Sequence, residues 1–227
     1  MPYNCGVLYT TLFFDLDETL YPSSTGVWAA IRQRMNQYML DKLQLPPEEV
    51  AALRRSYFET YGTTLRGLQI HNQVDTDDFL AYVHDLPIDQ MVQPDPELRD
   101  LLTGLALRKF IFTNADAAHA NRILSALGLQ DCFEGIIDVR ALGFYCKPDP
   151  VAYQIAMKLA GETMPQHCIY LDDAPRNLAP AHDLGMYTIL VGDEKTSLAA
   201  ELSLRRPHDL RLAMPELWQD NHNDHDR

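Results

Sequence analysis

Residues 11–22 read TLFFDLDETLYP, and the fold turns on how this stretch is read. Thr11 to Phe14 form a short run of strand-favouring, mostly apolar residues, as expected of a strand buried on both faces. Asp15, Asp17 and Glu18 follow at once. Unpaired charge at the end of a buried strand is costly to desolvate, so these carboxylates must find partners brought in from elsewhere in the chain.

Working outward, short apolar runs alternate with amphipathic segments from about residue 95 onward. KFIFTN (109–114), GIIDV (135–139), CIYLDD (168–173) and YTILVG (187–192) read as strands. AHANRILSALGL (118–129), DPVAYQIAMKLAG (149–161) and PRNLAPAHDLGM (175–186) read as the helices between them. Gly128, Gly161 and Gly185 stand where helices end, and Pro150 where a first turn tolerates proline. With TLFF as the first strand, the pattern predicts an α/β fold: a Rossmann-like, parallel five-stranded sheet with helices on both faces.

The interval between the first and second strands is too long for one crossover helix. Between Gly26 and Pro94 the apolar period is helical. Trp28, Ile31, Met35, Tyr38 and Met39 form one stripe, and Val50, Leu53, Tyr57 and Tyr61 a second that ends at Gly62. A third, capped by Asp75 or Thr76, carries Phe79, Leu80 and Val83. The expectation is a core domain of residues 1–21 and 95–227 with an all-helical insert at 22–94. The polar tail beyond Pro215, with WQDNHNDHDR at 218–227, is expected to be disordered rather than metal-binding.

The formal charge of −13 argues against polymeric nucleic acid and anionic membranes as partners. No stretch approaches the roughly 18 consecutive apolar residues of a membrane span. The N-terminus lacks the features of a signal peptide. Cys5, Cys132, Cys146 and Cys168 show no paired spacing and read as reduced thiols. Together these predict a cytoplasmic protein.

Four places put polar residues at a strand's carboxyl end or on a loop beside it: Asp15 and Asp17, Thr113 and Asn114, Lys147, and Asp172 and Asp173. Ligands of open α/β sheets sit at that rim. Four carboxylates there would raise one another's pKa unless a cation joined them, and a hard oxygen donor set without cysteine or histidine points to Mg²⁺. The chemistry this suits is attack by Asp15 on a phosphoryl group, with Asp17 moving a proton, the pair at 172 and 173 holding metal, and Lys147 and Thr113 steadying the transferring group. A phospho-accepting, receiver-like signalling module uses similar residues. It carries no helical insert after its first strand, which favours the enzyme.

In order and spacing, DLDET (15–19), TN (113–114), KPDP (147–150) and LDDAPRN (171–177) resemble the four motifs of the haloacid dehalogenase-like hydrolases whose helical cap lies between the first and second motifs. The resemblance implies Asp15 as nucleophile and Asp17 as acid/base whose backbone carbonyl also meets Mg²⁺. It implies Thr113 as phosphate-binding and Lys147 as charge partner, with Asp173 as direct metal ligand and Asp172 direct or through water. Dehalogenating members lack an aspartate two residues after the nucleophile, and Asp17 is present here.

YGTTLRGL (61–68), VDTDDFLAYVHDLP (74–87) and the segment from Leu171 to Gly192 look more narrowly like the pyrimidine 5′-nucleotidase branch, which dephosphorylates UMP and CMP. That implies a small phosphorylated metabolite, a pyrimidine nucleoside monophosphate, as partner. A phosphatase or mutase for a sugar phosphate is the alternative. The substrate-contacting candidates are Leu16, Thr113 and Asn114 at the rim and Arg66, His71 and Asn72 on the insert. Asn177 is expected to orient the Asp172–Asp173 loop.

Overall fold

The computed structural model describes residues 9–192 and 196–218. The chain enters through β1 (Thr11–Phe14) and passes into four helices: α1 (Val27–Asp41), α2 (Pro47–Tyr61), α3 (Thr64–Asn72) and α4 (Thr76–Val83). The short α5 (Ile88–Met91) and α6 (Pro96–Thr103) lead back to β2 (Arg108–Phe112). Regular alternation follows: α7 (Ala117–Leu127), β3 (Gly135–Ile137), α8 (Pro150–Leu159), β4 (Cys168–Asp172), α9 (Pro175–Leu184) and β5 (Tyr187–Val191). β6 (Leu202–Leu204) and the short α10 (Leu210–Ala213) complete the described chain.

The strands form one parallel sheet in the order β3-β2-β1-β4-β5-β6. Among the described residues this is six strands, not five. β6 has three residues, Leu-Ser-Leu, too few to register as a periodic apolar run, and it is recognised only by its pairing with β5.

Alternate strand residues feed opposite faces, as the two-residue period of a strand dictates. Leu12, Phe14, Ile111, Ile169 and Leu171 pack with the apolar sides of α6 and α7. Phe13, Phe110, Phe112 and Tyr170 pack with α8 and α9. Helix starts are fixed by side-chain caps: Asp75 accepts from the Asp78 N–H, Asp95 from Leu98 and Asp116 from His119, each at 2.9 Å.

The inserted helices have their own cluster, running from Tyr38 and Met39 through Tyr57 and Leu68 to Phe79 and Val83. Its flanks are shared with the main body, because Val27, Ile31, Ile88 and Val92 pack into the core under the sheet. Helix α3 broke no obvious periodicity in the sequence; its buried face is only Thr64, Leu65, Gly67 and Leu68. At the other end of the chain, Pro215–Trp218 form a helical turn and Trp218 packs against the main core, in place of the disorder expected there. Cys5 and residues 219–227 lie outside the described residues.

Candidate active site

Strand order reverses between β1 and β4, the two central strands, and the sheet opens its crevice there. Phe14 is in register with Leu171, so Asp15 and Asp172 emerge side by side, and the Asp15 N–H donates to the Leu171 carbonyl at 2.8 Å. One carboxylate oxygen from each of Asp15, Asp172 and Asp173 lies within 4.8 Å of the others.

Lys147 reaches this cluster from the loop before α8. Its ammonium is buried and spends its three protons on Asp15 Oδ1 (2.6 Å), Asp172 Oδ2 (2.9 Å) and the Phe112 carbonyl (2.8 Å). Burial alone would lower the lysine pKa, but the facing carboxylates outweigh it and hold it above its ordinary value. For Asp15 the balance falls the other way. Burial pushes its pKa well up, and Asp172 and Asp173 add to that against the pull of Lys147. The Lys147 ammonium therefore does not fully offset the burial of Asp15 beside two further carboxylates. The donors are hard oxygens, the arrangement suits a divalent cation such as Mg²⁺, and Asp15 and Asp173 also face the open cavity.

Asp172 is heavily committed to the protein. It accepts from Lys147, from the Tyr170 hydroxyl, from the Ala174 N–H at 2.8 Å and from the Asn177 amide at 3.0 and 3.1 Å. Asn177 thus braces the loop, and lies among the cavity walls as well.

Asp17 faces the same cavity, but its carboxylate is not part of the acidic cluster. Its Oδ1 accepts from the Tyr21 hydroxyl at 2.5 Å and meets His119 Nε2 at 2.8 Å. Burial pushes the Asp17 pKa up, yet His119 and Tyr21 outweigh it and hold the group below the usual carboxylate range. The His119 ring is completely buried and stacks on His84 with centroids 4.3 Å apart. His84 Nδ1 lies 3.3 Å from Asp116 Oδ1, a close contact without hydrogen-bond geometry. Tyr21, His84 and His119 were not singled out from the sequence. The available signal was spacing: Tyr21 stands four residues after Asp17, and His119 three after the helix cap Asp116.

The Thr113 hydroxyl accepts from the Ala115 N–H at 3.0 Å, which leaves its own proton for a ligand in the cavity. Asn114 also borders the cavity, but its amide is used twice on the Lys147 backbone, donating to the carbonyl at 3.0 Å and accepting from the N–H at 2.8 Å. It positions the lysine. Thr19 donates to Asp15 Oδ2 at 3.0 Å and sets that carboxylate from the opposite side.

The cavity, about 560 Å³, lies between the rim and the inserted helices. Trp28, Arg32, Arg54, Arg55 and Phe58 form its far wall. Arg66, His71 and Asn72 do not. α3 turns Leu65 and Leu68 inward, which leaves Arg66 exposed, reaching Gln69 at 3.4 Å beside a separate hollow. His71 stacks on Tyr57 and meets the Tyr61 hydroxyl at 2.7 Å, and Asn72 accepts from the Tyr57 hydroxyl at 3.2 Å. Leu16 is likewise no cavity residue, its side chain being buried in the main core.

Arg176, on α9, ties the two halves together. It donates to the carbonyls of Phe58 (3.0 Å) and Gly62 (2.8 Å) and lies 3.6 Å from the centre of the Phe58 ring. Gly62 itself, with φ of +85°, sits so close to the Lys147 loop that a Cβ would approach the Lys147 carbonyl to 2.8 Å.

Comparison with known proteins agrees with this fold. Residues 9–185 match the family of haloacid dehalogenase-like hydrolases. Phosphate metabolism protein 8 of Saccharomyces cerevisiae is 33% identical over 190 residues, covering 77% of this chain and 59% of that longer protein. Among solved structures, CbbY of Rhodobacter sphaeroides in complex with phosphate superposes with a TM-score of 0.64 at 17% identity, over 89% of this chain and 96% of that one. The magnesium-bound hydrolase YfnB of Bacillus subtilis gives 0.62 at 16% identity, over 92% and 99%. At such identities these structures speak for the fold, and the family match covers more than three quarters of the sequence: the chain belongs to the haloacid dehalogenase-like hydrolases.

Proposed function

We propose that the protein is a Mg²⁺-dependent phosphomonoesterase that works through an aspartyl-phosphate on Asp15. The observation that carries this reading is the pairing of Asp15 with a buried ammonium inside a carboxylate cluster, with a second aspartate, Asp17, on the same wall of the cavity. Asp15, Asp172 and Asp173 would hold the ion together with the Asp17 backbone carbonyl. When bound, it supplies charge neutralisation for the incoming phosphate and the attacking carboxylate.

An Asp15 carboxylate oxygen attacks phosphorus, the ester P–O bond breaks, and the departing alkoxide takes the proton of the Asp17 carboxyl. Water then attacks the phosphorus of the acyl phosphate and gives a proton to Asp17. Inorganic phosphate leaves, and the Asp15 carboxylate is restored. In the resting site Asp17 is held low, so its acid form depends on the substrate: a phosphate dianion beside it raises its proton affinity. Lys147 aims Asp15 and opposes the rise that burial gives its pKa, and the Thr113 hydroxyl donates to a phosphoryl oxygen.

The inserted helices, residues 22–94, act in this reading as a cap over the rim. Trp28 and Phe58 offer aromatic surface to a flat base, and Arg32, Arg54 and Arg55 offer donors to its carbonyl groups. This supports a pyrimidine nucleoside monophosphate as the substrate, read by a different set of cap residues from Arg66, His71 and Asn72. Buried free thiols at Cys132, Cys146 and Cys168 support a reducing, cytoplasmic setting, and among the described residues no helix is long and apolar enough to cross a membrane.

The test is phosphate release from a panel of UMP, CMP, purine monophosphates and sugar phosphates with Mg²⁺, run beside chloride release from a 2-haloacid. Phosphate release led by UMP and CMP supports the full reading. Release led by sugar phosphates moves the substrate class, and chloride release alone overturns the phosphatase.

A further inference from the structure

Resting on that reading, we infer that His119 is a positioning residue for the acid/base: with Tyr21 it fixes which oxygen of Asp17 exchanges protons with the leaving group. Both neighbours address the same atom, Oδ1, the tyrosine at 2.5 Å and the imidazole Nε2 at 2.8 Å. Oδ2 takes neither of these bonds. A carboxylic acid has one carbonyl-like oxygen that accepts and one hydroxyl oxygen that donates. Two donors converging on Oδ1 make it the accepting atom and leave Oδ2 to carry the transferable proton.

The imidazole can play this part because its orientation is set from three sides. Its own backbone N–H is held by the cap Asp116 at 2.9 Å, its ring is buried, and one face is covered by His84 at 4.3 Å. Nδ1 has no hydrogen-bond partner among the described residues, so the tautomer with its proton on Nε2, donating to Asp17, leaves only a lone pair unmet rather than an N–H. His84 follows the last residue of α4, borders the main cavity, and is held to α7 through Arg122, whose guanidinium donates to the His84 carbonyl. The inserted helices therefore reach Asp17 through His84 and His119.

A proton donor matters most when the leaving group is poor. The test is a Brønsted series: kcat/KM for aryl phosphates from p-nitrophenyl to phenyl, and for glycerol phosphate, with wild type, His119→Phe, His119→Gln and Tyr21→Phe. This parameter covers the step that expels the alcohol. The phenylalanine keeps ring volume and stacking but has no donor, while the glutamine amide returns an N–H near the Nε2 position. For His119→Phe the loss should grow from a few-fold on p-nitrophenyl phosphate to about 100-fold on the poorest leaving group, within the range of one general acid. His119→Gln should recover most of the difference, and Tyr21→Phe should steepen the series less. Parallel lines for His119→Phe and wild type overturn the inference while leaving the phosphatase standing. If His119→Phe does not fold, a Tyr21→Phe line parallel to wild type overturns it instead. A wild type inert on every ester removes both readings.

Discussion

The ammonium of Lys147 lies 2.6 Å from Oδ1 of Asp15, while Thr19 holds Oδ2 at 3.0 Å, so the buried carboxylate is oriented from both ends. Asp15→Asn keeps the shape and removes the nucleophile. Turnover of p-nitrophenyl phosphate should fall by at least about 10²- to 10⁴-fold with an unchanged circular dichroism spectrum. Lys147→Met should instead destabilise the fold by about 3–5 kcal/mol in urea titration, because it leaves buried carboxylates without their partner.

Chelation should silence the enzyme, and Mg²⁺ should restore it. Because the ion would relieve repulsion among Asp15, Asp172 and Asp173, it should also raise the melting temperature of wild type, and raise it less in Asp173→Asn. A melting temperature indifferent to Mg²⁺ would argue against a cation among these carboxylates.

Arg54→Ala should raise KM for UMP at least about tenfold relative to p-nitrophenyl phosphate, the size of a lost charged hydrogen bond. Arg66→Ala, on the outer side of α3, should leave that ratio unchanged. Equal effects of the two substitutions would mean that the far wall of the cavity does not read the substrate.

Asp116 predicts a pH-dependent contribution to stability. Burial opposes its ionisation, but the contact with His84 and the His119 N–H outweigh that and bring its pKa to about 2. A carboxylate depressed on folding stabilises above its unfolded pKa of about 3.9, and the contribution fades as pH falls through the folded value. Asp116→Asn, which can still cap α7, should cost about 1–2 kcal/mol at pH 6 once solvent screening is allowed for. The difference from wild type should shrink between pH 4 and pH 2. A constant difference across that range would show that ionisation of Asp116 contributes nothing.

The sheet was legible because its strands are buried on both faces and carry continuous apolar runs, as in KFIF and CIYL. The rim was legible because each polar group directly follows such a run or opens a helix with Pro150. What escaped was chemistry carried by helices. Arg54 stands four residues after Val50 and three before Tyr57, beside the buried stripe of α2, and nothing in the local pattern shows that this edge looks across a cavity at Asp15. His119 falls on the apolar stripe of α7 among Ala120 and Ile123, where a histidine reads as packing. Its hydrogen bond to Asp17 spans 102 positions in the chain, and only the closed fold reveals it. Arg66 misled for the opposite reason: it stands within a recognisable motif, but α3 is short and narrow-faced and turns it outward.

The bond from Arg176 to the end of α2 has a bearing on engineering. Grafting another lid onto this scaffold would mean presenting two free carbonyls to that guanidinium and a bare backbone where Gly62 slips past the lysine loop. A transplant that met neither condition would hover over the catalytic floor without seating, however well its own helices held together.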